Sequence, residues 1–399
     1  LQLLGSQNDM ATIRLVISLV SYVLTKVAVT VYAGGLVFQQ VFGIKELWGI
    51  DFFWIAAIGL VVLTALYTIF GGMKSVLYTS VLQTPILLLG SLIILVLGFK
   101  ELGGWDEMMR VCGAVTVNDY GDTMTNLIRS NDDANFPWLG ALIGSAIIGF
   151  WYWCTDQFIV QRVLSGKNEM EARRGTIFGA YLKLLPVFLF LIPGMIAFAL
   201  HQKYIGAGGE GFLPMLANGT ANADAAFPTL VAKLLPAGVK GLVVCGILAA
   251  LMSSLASLFN SSAMLFTIDF YKRFRPETPE KKLVGIGQVA TVVIVILGIL
   301  WIPIMRSVGD VLYTYLQDVQ SVLAPGIAAA FLLGICWKRT SAQGGMWGLI
   351  AGMVIGLTRL GAKVYYSNAD EVADSTFKYL FYDMNWLFFC GWMFLFCII

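Results

Sequence analysis

The sequence predicts an all-α protein that crosses a membrane many times, and three observations carry that expectation. Only 13% of its 399 residues are charged while 58% are hydrophobic, about half the charged share of an ordinary soluble domain. The chain's mean hydropathy is +0.79, and its apolar residues gather into ten long runs. None of these runs alternates with the period of two that a membrane barrel strand needs, which leaves helices, whose backbone satisfies itself, as the way through lipid. The same balance excludes disordered and collagen-like chains. It also excludes nucleic-acid-binding modules, which need a concentrated basic surface, so no nucleic-acid partner is expected.

In order, the runs cover 12–39, 52–71, 75–99, 137–160, 175–200, 238–268, 284–305, 310–336, 344–366 and 384–399. A spanning helix needs about 20 residues, and every run except the last reaches that length. Basic residues mark alternate connections. Arg14, Lys74, the cluster Arg162/Lys167/Arg173/Arg174, the cluster Lys272/Arg273/Arg275/Lys281/Lys282 and the pair Lys338/Arg339 all fall on one side. Opposite them lie the long loops 100–136, with seven acids against three bases, and 201–236, rich in Gly and Asn. The positive-inside rule makes the first set cytoplasmic, so the expected location is the cell membrane with the bilayer itself as a partner. The sequon Asn218-Gly219-Thr220 would then face outward, and chance suffices to explain it.

Residue 1 is Leu, no signal-peptide pattern opens the chain, and the final apolar run spans only 16 residues. The expectation is a single transmembrane domain over 1–399, an internal piece of a longer membrane protein. Five cysteines (Cys154, Cys245, Cys336, Cys390 and Cys397) lie in or beside apolar runs and Cys112 in a polar stretch, so no disulfide framework is expected.

Ionisable residues at membrane depth are expensive and direct attention to a site. Five fall within the runs: Lys26, Asp156, Lys183, Asp318 and Arg359. For Arg359 snorkelling to an interface is the simpler explanation. Lys183 lies eight or nine residues from the cytoplasmic cluster, roughly 12–14 Å of helix and too deep for easy escape; Lys26 is about as deep. The fourth run ends Trp151-Tyr152-Trp153-Cys154-Thr155-Asp156-Gln157, where Tyr152 with Asp156 and Trp153 with Gln157 are spaced to share helix faces. Flat rings beside amide and carboxyl groups suit a sugar, although an interfacial aromatic belt has the same composition. The sixth run carries Ala250, Ser253, Ser254, Ser257 and Ser261 down one face. Such a stripe is either a packing seam or part of an oxygen shell for a small cation.

In the eighth run Tyr313 with Gln317 and Thr314 with Asp318 are four apart, and Ala324-Pro325-Gly326 is expected to break the helix just beyond them. The glycine row Gly344, Gly348, Gly352 and Gly356 has no side-chain oxygen and is assigned to packing. Motifs of hydrolases and metalloenzymes are missing, and the lone histidine, His201, sits at a loop edge. An enzyme is therefore not expected.

Five segments together resemble the sodium/solute symporters of the sodium-glucose cotransporter type. They are Trp151 to Gln157 with Ile159-Val160-Gln161-Arg162, Tyr181-Leu182-Lys183, Met252 to Ser261, and Phe331 to Arg339. The similarity runs over nearly the whole chain in family order. It implies the LeuT-type inverted-repeat fold around a midplane site. On that alignment 1–99 holds core helices three to five, 137–336 core helices six to ten and 344–399 extension helices, with the first two core helices absent.

Carried over position by position, the resemblance implies that Tyr152 stacks under a sugar ring with Trp153 beside it, and that Lys183 and Gln317 bond sugar hydroxyls. Ala250, Ser253 and Ser254 would be sodium ligands, and Asp156, Gln157, Tyr313, Asp318 and Lys26 remain candidates for structural or gating roles. The implied activity is sodium-coupled symport of a glucose- or galactose-like hexose. Myo-inositol, sialic acid or another polar solute is the alternative cargo, and a transporter-like solute sensor the alternative role. Two departures stand out: Tyr78-Thr79-Ser80-Val81-Leu82-Gln83 has Ser80 where family members usually carry an acid, and Gly149 stands where some sugar transporters place an amide.

Overall fold

The computed structural model describes residues 16, 18–20, 22–216, 219–308, 311–367 and 375–399. Arg14, Asn218 of the sequon and the side chain of Lys74 fall outside that description. Among the described residues seven helical runs are long and apolar enough to span a membrane, or up to nine if each of two sharply bent pairs is one span. Phe52–Leu66 is a shorter apolar stretch. All ten predicted runs thus have helical counterparts.

The chain divides into two compact units, each drawn from separate stretches. The first comprises the described residues of Leu1–Val29, Ile128–Leu164 and Leu258–Ile399, the second Thr30–Leu127 and Ser165–Ser257.

The second unit contains α1 (Ala28–Phe42) from Thr30 on, the whole of α2 (Phe52–Leu102), and the amphipathic α3 (Trp105–Gly113). A small hairpin, Glu46–Leu47 paired with Ile50–Asp51, precedes α2. Trp48 and Gly49 turn it with φ of 56° and 76°, and the Asp51 carboxylate then caps α2 by accepting the Phe53 amide. Helices α6 (Glu169–Leu182), α7 (Ile192–Gly206), α8 (Ala226–Leu234) and most of α9 (Ala237–Met264) complete the unit. Its core is continuous from Ile94, Leu102 and Cys112 through Ile196 and Leu200 to Leu230 and Val243.

The first unit is built around α11 (Leu312–Cys336), which is buried along most of its length. Ile147 and Trp151 of α4 (Trp138–Cys154), Leu349 of α12 (Ala342–Ser367) and Leu387 of α13 (Trp386–Ile398) close over Ala324 and Ala328. The indole of Trp301, on α10 (Glu280–Val308), donates to the Tyr315 hydroxyl at 2.6 Å. Gly352 lies against Gly326, and a Cβ on Gly356 would collide with the carbonyl of Val322. Gly352 and Gly356 thus form a close-approach seam between α12 and α11, while Gly348 packs against Cys397 of α13.

Several boundaries differ from the sequence reading. Residues 72–74 do not separate two helices: α2 is helical from Phe52 to Leu102. At about 76 Å it is more than twice the roughly 30 Å of a hydrocarbon core, so it carries two spans' worth of chain. Pro325 does not end its helix either. It sits inside α11 among buried neighbours, where tertiary packing tolerates the lost backbone bond. His201 is in α7, buried, and its Nδ1 accepts the Leu213 amide at 3.0 Å. Cys112, in the polar stretch that forms α3, is buried on that helix's inner face.

The glycine seam yields a stability prediction. Gly356→Ala should lower thermal stability in detergent by about 1–3 kcal/mol, because its methyl meets backbone and cannot be accommodated by a rotamer change. Gly361→Ala on the same helix, where a Cβ meets nothing within 4 Å, should leave stability unchanged or slightly raised.

Candidate functional site

Asp156 stands in a break. Helix α4 stops at Cys154, α5 begins at Gln157 (Gln157–Leu164), and the two are bent by 45°. The Thr155 hydroxyl bonds back to the Trp151 carbonyl at 2.7 Å, and Asp156 Oδ1 accepts the Phe158 amide at 3.1 Å, the geometry of an N-cap. The sequence expectation that Tyr152 shares a continuous helix face with Asp156, and Trp153 with Gln157, therefore fails at Thr155. Asp156 turns instead toward the first helix of its own unit.

There the Tyr22 hydroxyl donates to Oδ1 at 2.9 Å and the Lys26 ammonium pairs with Oδ2. Tyr22 and Lys26 belong to a π-helical segment, Tyr22–Val27. Lys26 is 8% exposed and Asp156 4%, so neither charge can reach water. The ammonium is ringed by aromatic faces: the centroid of Phe158 is 4.5 Å away, Tyr22 5.0 Å, Tyr152 5.1 Å and Trp151 5.7 Å. Desolvated cation–π contacts of this kind add about 1–2 kcal/mol. Tyr152 is thereby held on one side by the cation and on the other by Trp153, edge to face at 5.1 Å. Trp153 itself is half exposed.

On α11 the Gln317 amide donates to the Tyr313 hydroxyl at 2.9 Å, the pairing that their spacing predicts. Tyr313 is exposed and its ring lies 6.4 Å from Phe136. Asp318, one residue on, takes the buried side of the helix, and the Thr314 hydroxyl bonds the Val311 carbonyl. Asp318 receives the Lys363 ammonium at 2.6 Å and the Arg359 guanidinium at 3.5 Å. Arg359 does not snorkel: it is fully buried, stacks 4.1 Å from the Phe389 centroid and donates to the Met384 carbonyl at 2.6 Å. Tyr22, Phe158 and Lys363 are absent from the sequence-based candidates. Tyr22 with Lys26 and Arg359 with Lys363 each have a four-residue spacing that could have flagged them.

The remaining candidates lie in the second unit. Lys183 is exposed and is the C-cap of α6, its backbone amide donating to the Gly179 carbonyl. Ala250, Ser253 and Ser254 lie on α9, which is helical throughout that stretch, so the Ala250 carbonyl has only its second lone pair to offer. Ser253 is buried; its hydroxyl is 2.6 Å from that of Ser80, and its carbonyl accepts the Ser257 hydroxyl at 3.0 Å. Ser254 makes no side-chain hydrogen bond among the described residues. Ser80, the departure from the usual acid, is thus in direct contact with Ser253.

Three comparisons bear on this arrangement. The profile of the sodium:solute symporter family matches residues 5–352. The human sodium/myo-inositol cotransporter 2 is 36% identical over 92% of the chain, and the mouse sodium/glucose cotransporter 4 is 37% identical over 88%. The sodium/mannose cotransporter of Bos taurus is 38% identical over 86%. The chain spans 56%, 52% and 58% of these relatives' own lengths. Among solved structures, a Na+-coupled sialic acid symporter in a substrate-bound outward-open state superposes with a TM-score of 0.69 at 22% identity, covering 97% of this chain and 73% of that one. That likeness establishes the LeuT-type fold.

The buried pair makes a double-mutant prediction. Lys26→Met should destabilise the protein by about 3–5 kcal/mol, because it strands the Asp156 carboxylate. Asp156→Asn should cost a similar amount by stranding the ammonium. Combined, the two substitutions should cost clearly less than their sum, read as thermal unfolding of the purified protein; strict additivity would deny the pairing.

Proposed function

We propose that this chain, which belongs to the sodium:solute symporter family, works in sodium-coupled symport of a sugar or polyol by alternating access. The observation that carries this reading is the bend between α4 and α5, where a buried ion pair holds the Tyr152 ring in place at the end of a broken span. Broken spans with clustered polar groups are where transporters of this fold bind their cargo. An aromatic face suits the apolar face of a sugar ring, and amide and ammonium donors suit its hydroxyl rim. The relatives' names, with glucose, mannose and myo-inositol, all describe polyhydroxylated six-carbon solutes.

In this mechanism sodium is a substrate rather than a resident cofactor. Ser253, Ser254 and the Ala250 carbonyl provide its oxygen shell, with Ser80 bonded to Ser253. Its occupancy favours the outward-open state. The solute then packs on Tyr152 and Trp153 of the first unit, while Gln317, and Lys183 of the second unit, are taken as hydroxyl-bonding residues from the family resemblance alone. Asp156 and Lys26 act behind Tyr152 as positioning residues, Gln157 and Tyr313 border the same elements, and Asp318 anchors the helix that carries Gln317. Each sodium moving inward down 100 mV supplies about 2.3 kcal/mol before its concentration gradient is counted. A glucose- or galactose-like hexose is the favoured cargo; myo-inositol is the second reading, favoured by its transporter's standing among the similar relatives.

Uptake by the full-length protein in proteoliposomes tests this. An imposed sodium gradient should drive accumulation of one of glucose, galactose, mannose or myo-inositol, and equal uptake in potassium would refute sodium coupling. Ser254→Ala should raise the sodium concentration for half-maximal uptake roughly tenfold, the worth of one lost oxygen contact. Lys183→Ala should raise the half-saturating solute concentration and leave sodium dependence unchanged; the reverse pattern would remove Lys183 from the solute site.

A further inference from the structure

The first unit carries, along α10, an apolar groove of about 650 Å³. It is lined by Leu19 of the N-terminal helix, Phe266 of the π-helical segment Leu265–Tyr271, and Gly285, Val289, Val293 and Leu297 of α10. The groove is open along its length partly because Gly285 has no side chain: a Cβ there would meet nothing within 4 Å. Val289 is 65% exposed and Val293 49%, so in a membrane this face looks into hydrocarbon. A polar solute has nothing to bond here.

One lining residue breaks the pattern. Lys282 sits at the groove's start and forms no ion pair among the described residues. It lies in the first turn of α10, at the end of the stretch 272–282, where Lys272, Arg273, Arg275, Lys281 and Lys282 outnumber Glu277 and Glu280. The charge pattern puts that connection on the cytoplasmic side. From Lys282 to Leu297 the helix rises about 22 Å, more than the roughly 15 Å of one leaflet's hydrocarbon. A basic group at headgroup level thus heads an apolar slot long enough for an acyl chain.

We propose that this groove is a binding site for an anionic phospholipid of the cytoplasmic leaflet, its phosphate paired with Lys282 and one acyl chain lying along Gly285, Val289 and Val293. The site is separate from the solute and sodium residues and does not rest on their assignment. Charge complementarity selects the occupant. A zwitterionic lipid would fill the slot equally well but gain less at its head, because a lysine near an anionic headgroup contributes about a fivefold preference.

The full-length protein, purified by detergent extraction from vesicles of equal phosphatidylcholine and phosphatidylglycerol, should carry retained lipid in native mass spectrometry, with phosphatidylglycerol favoured about fivefold. Gly285→Phe, which fills open space, should abolish retention of both lipids. Lys282→Gln should keep retention but bring the two headgroups toward parity. If Gly285→Phe fails to fold, Val293→Trp tests the same slot. Wild-type protein without retained lipid would mean that another segment covers the groove and would overturn the proposal. So would equal retention of the two headgroups, or unchanged retention in both groove-filling variants.

Discussion

A charge placed in hydrocarbon must find its partner inside the protein, and the Lys26–Asp156 pair shows how much structure one such requirement organises. The Asp156 carboxylate neutralises an ammonium, accepts a tyrosine hydroxyl and caps α5. Each task fixes it in a different direction, and together they force the helix to end before it and restart after it. The 45° bend is the consequence, and the orientation of Trp151, Tyr152 and Trp153 follows from the bend. On the other side, the π-helical turn presents Tyr22 and Lys26 to the same carboxylate. Breaking the pair would strand a charge, at a cost of about 3–5 kcal/mol, a large part of the margin that keeps a typical domain folded.

What could be read from the chain divides along physical lines. Hydropathy marks the spans because lipid acts on every residue of a run at once, so small local exceptions are outvoted. The glycine row and the Tyr313–Gln317 pair were legible because both depend only on spacing along one helix. The break at Thr155 was not: Trp-Tyr-Trp followed by Thr-Asp also describes an interfacial belt, and only a lysine 130 positions away explains the turn. The opposite holds at Pro325, where a local signal for a break is overruled by buried packing along α11. Arg359 looked like a snorkelling residue because its partners come from four different positions: Asp318, Leu380, Met384 and Phe389. For the solute and ion residues, spacing alone favours packing seams and an aromatic belt, and only the family resemblance points to a solute and ion site.

The two buried clusters also show why lysine and arginine are used where they are. Lys26 offers a compact charge to one carboxylate, and aromatic faces supply the rest of its shell. Arg359 meets a harder problem, because Asp318 already faces the Lys363 ammonium and the cluster holds two cations against one anion. The surplus charge is met by backbone. The guanidinium reaches the carbonyls of Leu380 and Met384, at the end of the π-helical segment Tyr379–Asp383, where the helix dipole is negative. Only a planar fork of donors can serve carboxylate, carbonyls and a stacked ring at once; a lysine there would leave most of these groups unserved. The 108° turn into α13 follows directly after Met384's neighbour Asn385, which caps α13 and bonds the Ala134 carbonyl. The same arginine that balances charge beside the Gln317 helix therefore also pins the sharp corner of the C-terminal pair, so displacing it should disturb both elements together.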